Sequence, residues 1–159
     1  MRTRSQRRLP ILRSGPSGRL RSGAGQYLET SLLEAGLAWT PWEFGAYFGS
    51  GEVPTATGTR HRRAAPYQAY RTRDGYVTVG ASNDKLWKNF CTMVCGRPEW
   101  MADPRFASAA GRLENVDELE REIETVFATQ PTAHWVEKLD AAEVPGGPVY
   151  RYEQIMNDP

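Results

Sequence analysis

The dipeptide Asp74-Gly75 constrains the fold of this chain more than any other feature of its sequence. It ends a four-residue segment, 72–75, that separates two β-favouring runs, Tyr67–Arg71 and Tyr76–Ala81. Asp-Gly between two such runs is a strong signal for a hairpin, because both residues tolerate the backbone angles of a tight turn. The sequence therefore predicts an antiparallel pair of strands near the middle of the chain.

Three amphipathic helices are predicted to follow the hairpin. Asn83 caps the first, which Gly96 ends. An Asn115/Glu118 capping-box pattern opens the second, and Thr132 caps the third. Their apolar faces are formed by Leu86, Trp87, Phe90, Cys91 and Val94, by Leu119, Ile123, Val126 and Phe127, and by Trp135, Val136 and Leu139. Residues at such spacing share one side of a helix, so each helix has a face to bury.

Residues 66–159 are therefore predicted to form a small α+β domain, a hairpin packed with about three helices, within the α/β fold class. Near its end, the segment Pro145-Gly146-Gly147-Pro148 predicts a constrained turn. Val149 and Tyr150 are then predicted to enter a short strand before a last helical turn near Glu153–Met156.

The N-terminal part has three predicted segments. Residues 1–24 are rich in Arg, Ser and Gly without a sustained period, which predicts a disordered basic arm. Residues 25–48 predict a strand stub at 27–30 and a helix that a Ser31/Glu34 capping box opens and that Pro41 either ends or kinks. Residues 49–65, rich in Gly, Pro, Thr and Arg, predict an exposed linker.

Charge is distributed unevenly along the chain. Residues 1–28 contain seven arginines and no acid, which leaves 13 basic against 19 acidic residues in the remainder. An acidic body gives no reason to expect a nucleic-acid surface, so any such role would belong to the arm alone. No run approaches the roughly 18–20 apolar residues that cross a bilayer, and the N-terminus lacks the apolar centre of a secretory signal. A soluble, cytoplasmic protein is predicted.

Common catalytic and cofactor motifs are missing from the sequence. It contains no glycine-rich phosphate loop, no zinc-type spacing and no nucleophile elbow. Cys91 and Cys95, four residues apart on a predicted helix, are interpreted as core residues rather than metal ligands. The sequence therefore assigns neither a catalytic residue nor a metal site.

A few residues remain as candidates for ligand contact. Arg60 and His61 begin a basic cluster at 60–63 that would either hold a phosphate or form a solvated hinge. Tyr67 would either line an aromatic pocket or pack across the strands. Gly146 and Gly147 would either let the backbone approach a ligand closely or simply make a turn.

Several segments, taken in order and spacing, resemble class III CoA-transferases, the family of formyl-CoA transferases, carnitine CoA-transferases and α-methylacyl-CoA racemases. The segments are Arg60-His61, 65–72, 74–81, 83–87, 96–99, 103–106, Arg112 with Asn115, Trp135, Val144-Pro145 and Gly147-Pro148. Upstream, 23–35 resembles the Gly-x-Gly-Gln strand and following helix of the family. The resemblance covers about residues 21–159, a truncated C-terminal portion amounting to well under half of a family member.

The resemblance implies a reaction whose nucleophile lies elsewhere. In the family, an Asp in the N-terminal region attacks the acyl-CoA carbonyl to give an acyl-aspartyl anhydride, and CoA passes to a carboxylic acid. Acyl-CoA and carboxylate are thus the expected substrates, with no tightly bound cofactor, and this chain is expected to be inactive alone. Residues 25–48 would belong to the large domain. The expected partner is a second copy, with linkers wrapped around each other, or a missing N-terminal half; the alternative is a non-catalytic interaction module.

Asn83 bears on the type of reaction. Racemase-like members place a Glu at this position, and a carboxamide cannot exchange a proton at an α-carbon. The resemblance therefore implies a transferase rather than a racemase. Asn83 itself would either cap a helix or bond an acyl carboxylate. The residues expected near substrate are Arg60, His61, Tyr67, Asn83, Gly146 and Gly147.

Overall fold

The computed structural model describes residues 20–24, 27 and 31–157. Contacts divide the chain into two units, residues 1–56 and residues 57–159. The division falls inside the segment 49–65, and the predicted domain limits stay a prediction. Residues 1–19 of the predicted arm and residues 28–30 of the predicted stub lie outside the described residues, whereas residues 20–22 form a helical turn where no regular structure is predicted.

The first unit contains two short helices, α1 (Leu32–Leu37) and α2 (Pro41–Ser50). The Ser31 hydroxyl accepts a hydrogen bond from the Glu34 amide at 3.1 Å, so the predicted cap is confirmed. The first helix ends before Pro41 and is not kinked by it, and Pro41 occupies the first turn of a second helix that the sequence did not predict, where its missing N–H costs nothing. Within the described part of this unit, neither helix has a buried residue.

Strands β1 (Tyr67–Arg71) and β2 (Tyr76–Gly80) form the predicted hairpin, with Tyr67 opposite Gly80. A third strand, β3 (Gly146–Pro148), pairs antiparallel with β2, so the sheet order is β1-β2-β3. The predicted turn at 145–148 and the strand at 149–150 are therefore wrong, since the glycine-rich segment is itself the strand.

The second unit is completed by five α-helices among its described residues. They are α3 (Asp84–Asn89), α4 (Ala109–Glu114), α5 (Val116–Phe127), α6 (Thr132–Ala141) and α7 (Tyr152–Ile155). The predicted first helix continues beyond α3 as a π-helical turn at Phe90–Val94 and stops at Gly96, which has a left-handed φ of 65°. A 3₁₀ turn follows at Pro98–Met101. The α/β fold class is confirmed, and within this unit α4 is a helix that the sequence did not predict.

Two of the predicted helix caps are wrong. Asn115 donates from its side-chain amide to the Gly111 carbonyl at 2.8 Å, so it binds the end of α4 and not the start of α5. Thr132 is the first residue of α6, and its amide donates to Asp74 Oδ1 at 2.7 Å. The hairpin turn thus satisfies an N–H group that the helix leaves unpaired.

The core lies between one face of the sheet and helices α5 and α6. Phe127 is fully buried, meets Tyr70 edge-on at 5.9 Å between ring centroids, and stacks on Trp135 at 4.6 Å. Truncating such a residue to alanine typically costs about 3–5 kcal/mol. The opposite face of the sheet is open, with Tyr67, Tyr76 and Thr78 exposed.

Candidate functional site

Tyr67 at the start of β1 pairs with Gly80 at the end of β2, His61 stacks on Tyr67, and Asn83 follows Gly80 by three positions. We call these four residues the strand-end cluster. Gly80 donates from its amide to the Pro145 carbonyl at 2.7 Å, which ties the end of β2 to the residue before β3. A Cβ on Gly80 would touch the Tyr67 ring at 3.4 Å, so that ring lies against bare backbone.

The His61 and Tyr67 side chains form a stacked aromatic pair. Their ring centroids are 5.0 Å apart and their planes differ by 6°. The His61 amide also donates to the Tyr67 carbonyl at 2.9 Å, and His61 Nδ1 accepts from the Arg63 amide at 3.1 Å. A neutral His61 therefore carries its proton on Nε2. Since Tyr67 is 47% exposed, this pair presents a flat, partly accessible wall at the sheet edge.

Asn83 is the residue from which α3 begins. Its Oδ1 accepts from the Leu86 amide at 2.9 Å, and its backbone is extended, with φ −108° and ψ 167°. The predicted capping role is thus confirmed. Because the cap occupies Oδ1, the exposed Nδ2 amide is the group that this side chain offers to a ligand carboxylate or carbonyl.

Arg60 is turned towards helix α5. Its Nη1 donates to Asp117 Oδ1 at 2.6 Å, and its Nη2 binds Glu120. The hydrogen bond to Glu120, supported by Asp117, raises the pKa of Arg60 above its usual value. In this structure the guanidinium is therefore engaged by protein carboxylates, and a role of Arg60 near substrate stays a prediction.

Gly146 and Gly147 serve strand pairing in different ways. A Cβ on Gly146 would clash with the Thr78 carbonyl and lie 2.9 Å from Leu139 Cδ1, so close packing of β3 requires a glycine. Gly147 faces open space, and its carbonyl accepts from the Thr78 hydroxyl at 3.0 Å. Of the two, Gly147 is thus the one with room for a ligand.

The sequence did not predict a fully buried cation beneath the cluster. Arg112 is 0% exposed and donates from Nε to the Ala65 carbonyl at 2.9 Å and from Nη1 to the Phe106 carbonyl at 3.1 Å. Its burial lowers the pKa of Arg112. Arginine is ordinarily exposed, and one of the two acceptors, the Ala65 carbonyl, is 47 positions away, so only the family resemblance marked this position.

Metal binding and membrane spanning find no support in the part of the chain that the structure describes. There, no three His, Cys, Asp or Glu side chains gather closely enough to hold a metal ion. Across the same residues, every helix is too short or too polar to cross a bilayer.

Comparison with known proteins gives a consistent result. A family model described as CoA-transferase family III matches residues 17–159. The chain is 31% identical over 141 residues to an acetyl-CoA:oxalate CoA-transferase of Acetobacter aceti, across 89% of this chain and 36% of that protein. It is 27% identical over 140 residues to a succinyl-CoA:glutarate CoA-transferase of Mus musculus, across 88% of this chain and 32% of that protein.

Solved structures share the fold. A CAIB/BAIF family protein from Brucella suis superposes with a TM-score of 0.79 at 27% identity, over 94% of this chain and 39% of that one. Rv3272 from M. tuberculosis superposes with a TM-score of 0.76 at 23% identity, which bears on the fold alone. This chain therefore spans between 32% and 39% of the length of these relatives.

Proposed function

The chain belongs to CoA-transferase family III, and we propose that it forms the small lobe of an enzyme that moves coenzyme A from an acyl-CoA to a carboxylic acid. The observation that carries this proposal is the match over 141 residues to an enzyme named for acetyl-CoA and oxalate. A second relative is named for succinyl-CoA and glutarate, so a dicarboxylic acid is the acceptor class we favour.

The proposed reaction uses an aspartate from the part of the family fold that this chain does not span. That carboxylate attacks the acyl-CoA carbonyl, expels CoA thiolate and leaves an acyl-aspartyl anhydride. The thiolate then attacks the aspartyl carbonyl, releasing the first acid and forming an enzyme thioester. The acceptor carboxylate displaces thiolate again to form a second anhydride. Attack of thiolate on the acceptor carbonyl gives the new acyl-CoA and frees the aspartate.

The strand-end cluster would border that chemistry. We assign Asn83 to binding through Nδ2, which would donate to an oxygen of the acyl group or acceptor. His61 and Tyr67 would form a flat wall that keeps water from the anhydride, which hydrolysis would otherwise consume. A carboxamide at position 83 also favours transfer over racemisation, since it cannot act as a base at an α-carbon.

A chimaeric enzyme tests the proposal directly. Residues 17–159 replace the matching segment of the Acetobacter aceti relative, and turnover of acetyl-CoA with oxalate is followed by chromatography of the CoA esters. We expect the chimaera to be active and this chain alone to be inactive. Asn83→Ala should then lower kcat/KM by about tenfold, the effect of losing one hydrogen bond to a charged group. The exposed Asp140→Asn serves as control.

Two results would contradict this view. Turnover by the isolated chain would refute its dependence on a second lobe. A chimaera that folds, as circular dichroism reports, but does not turn over would refute the lobe assignment itself.

A half-enzyme completed by a separate polypeptide is the second candidate, and the first unit favours it. Five large apolar side chains there are 72–93% exposed: Leu32, Leu33, Trp39, Trp42 and Phe48. So many exposed large apolar side chains in one short segment are typical of an interaction site. Mixing the chain with the unmatched part of the Acetobacter aceti relative should give a complex on size-exclusion chromatography; two separate peaks would remove this candidate. Pairing with a second copy and a cytoplasmic location stay predictions.

A further inference from the structure

Arg112 connects the segments that meet beneath the strand-end cluster. Its two hydrogen bonds reach Ala65, at the end of the segment that leads into β1, and Phe106, in the loop before α4. Its guanidinium carbon lies 4.9 Å from the ring centroid of Trp87, on α3. Three elements far apart in sequence therefore converge on one planar cation.

The remaining edge of the guanidinium faces the start of α3. Among the described residues, Arg112 Nη2 has no hydrogen-bond partner. It forms an ion pair with Asp84, whose Oδ1 is 3.8 Å away and whose side chain is 95% exposed. Asp84 directly follows Asn83, so the buried charge acts on the first turn of the helix that Asn83 caps.

A buried cation is costly unless it is paired, and a hydrophobic residue of similar volume would commonly fill the same space with equal or greater stability. The arrangement at Arg112 also requires arginine rather than lysine, because two donors and a flat stacking face act at once. Stability alone therefore does not account for this residue.

We infer that Arg112 is a positioning residue that fixes the Asn83–Asp84 turn, through its ion pair with Asp84 and its contact with Trp87, so that Asn83 Nδ2 points to substrate. The inference rests on the proposed function for the role of Asn83. The contacts of Arg112 that fix the turn lie entirely within this chain, so they do not depend on the proposed function.

Asp84 carries the test, because replacing the buried Arg112 risks unfolding the domain. In Asp84→Asn, amide exchange of Leu86 in the isolated chain, measured by NMR, should accelerate about two- to fivefold, the range of a partly exposed ion pair. Asp84→Glu keeps the charge at the helix start and should restore slow exchange. Asp140→Asn, on α6, is the matched control and should exchange like the parent.

Turnover in the chimaera supplies a second readout. There Asp84→Asn should lower kcat about two- to fivefold with KM unchanged, because a misplaced donor weakens the transition state more than the bound substrate. Unchanged Leu86 exchange would overturn the inference. Faster exchange with an unaltered kcat would equally overturn it. If Asp84→Asn accelerates exchange in the isolated chain but the parent chimaera is inactive, the proposed function is refuted, whereas the inference that Arg112 fixes the turn still holds.

Discussion

Glu143 holds a backbone conformation that most residues avoid, and replacing it with glycine should stabilise the second unit. Its φ is 54°, directly after Ala142 ends α6. A side chain in this left-handed region costs about 1–2 kcal/mol. About 0.5 kcal/mol of the gain is lost, because glycine gives the unfolded chain more conformational freedom. The exposed ion pair of Glu143 with Lys85, at 3.6 Å, contributes about 0.2–0.5 kcal/mol.

The expected net gain from Glu143→Gly lies within about 0–1.3 kcal/mol and centres on about 0.6 kcal/mol, or about 2–5 °C in Tm for a domain of this size. Thermal unfolding followed by circular dichroism measures it. Glu143→Ala is the matched control, because it removes the same ion pair while keeping the Cβ, and it should unfold at or below the Tm of the parent. A glycine variant no more stable than the alanine variant would refute the claim that the backbone is strained there.

Three further predictions concern the same unit. Hydrogen bonds from Thr132 hold the pKa of Asp74 below its ordinary value. The ionised Asp74 therefore stabilises the folded state above the pKa of about 4 that it has in the unfolded chain, and this stabilisation is lost as the pH falls through its lower pKa in the folded chain. Asp74→Ala should thus lower Tm by a few degrees at pH 7 and flatten the loss of Tm below pH 4, and an unchanged profile would count against the cap. Gly146→Ala should destabilise the unit by about 1–3 kcal/mol in urea unfolding, because its Cβ has no room; parent-like stability would show that β3 shifts freely. Burial raises the pKa of Cys91 to about 12 and raises that of the partly buried Cys95 as well. Iodoacetamide should therefore label Cys91 in guanidinium but not in the folded chain at pH 8, and rapid labelling of Cys91 in the native protein would contradict its burial.

Short sequence patterns correctly predicted the structural features that depend only on residues close together in the chain. Asp74-Gly75 marked the hairpin turn, and the Asn83 cap is made by an amide three residues ahead. Sequence reasoning failed where long-range packing decides. The composition of Gly146 and Gly147 is typical of a turn, yet both residues pair with β2 as a strand. Glycine is needed at position 146 because only a residue without a side chain fits against Thr78.

The candidate site divides in the same way. Stacking of His61 on Tyr67 and the capping by Asn83 involve residues that the sequence marked. The Arg60 guanidinium binds carboxylates that are 57 and 60 positions away, and no local sequence pattern connects them to it. Arg112 is a similar case, since its acceptor at Ala65 is 47 positions distant.

The hydrogen bond between Asp74 and Thr132 joins residues 58 positions apart, and it makes helix α6 depend on the hairpin. A ten-residue helix without a cap of its own is marginal in water. Its first-turn partner Asp74 lies in the hairpin turn, so the two elements should appear together in refolding, and a peptide cut to residues 130–142 should remain a coil. One carboxylate in the turn thus couples the stability of the helix to that of the sheet.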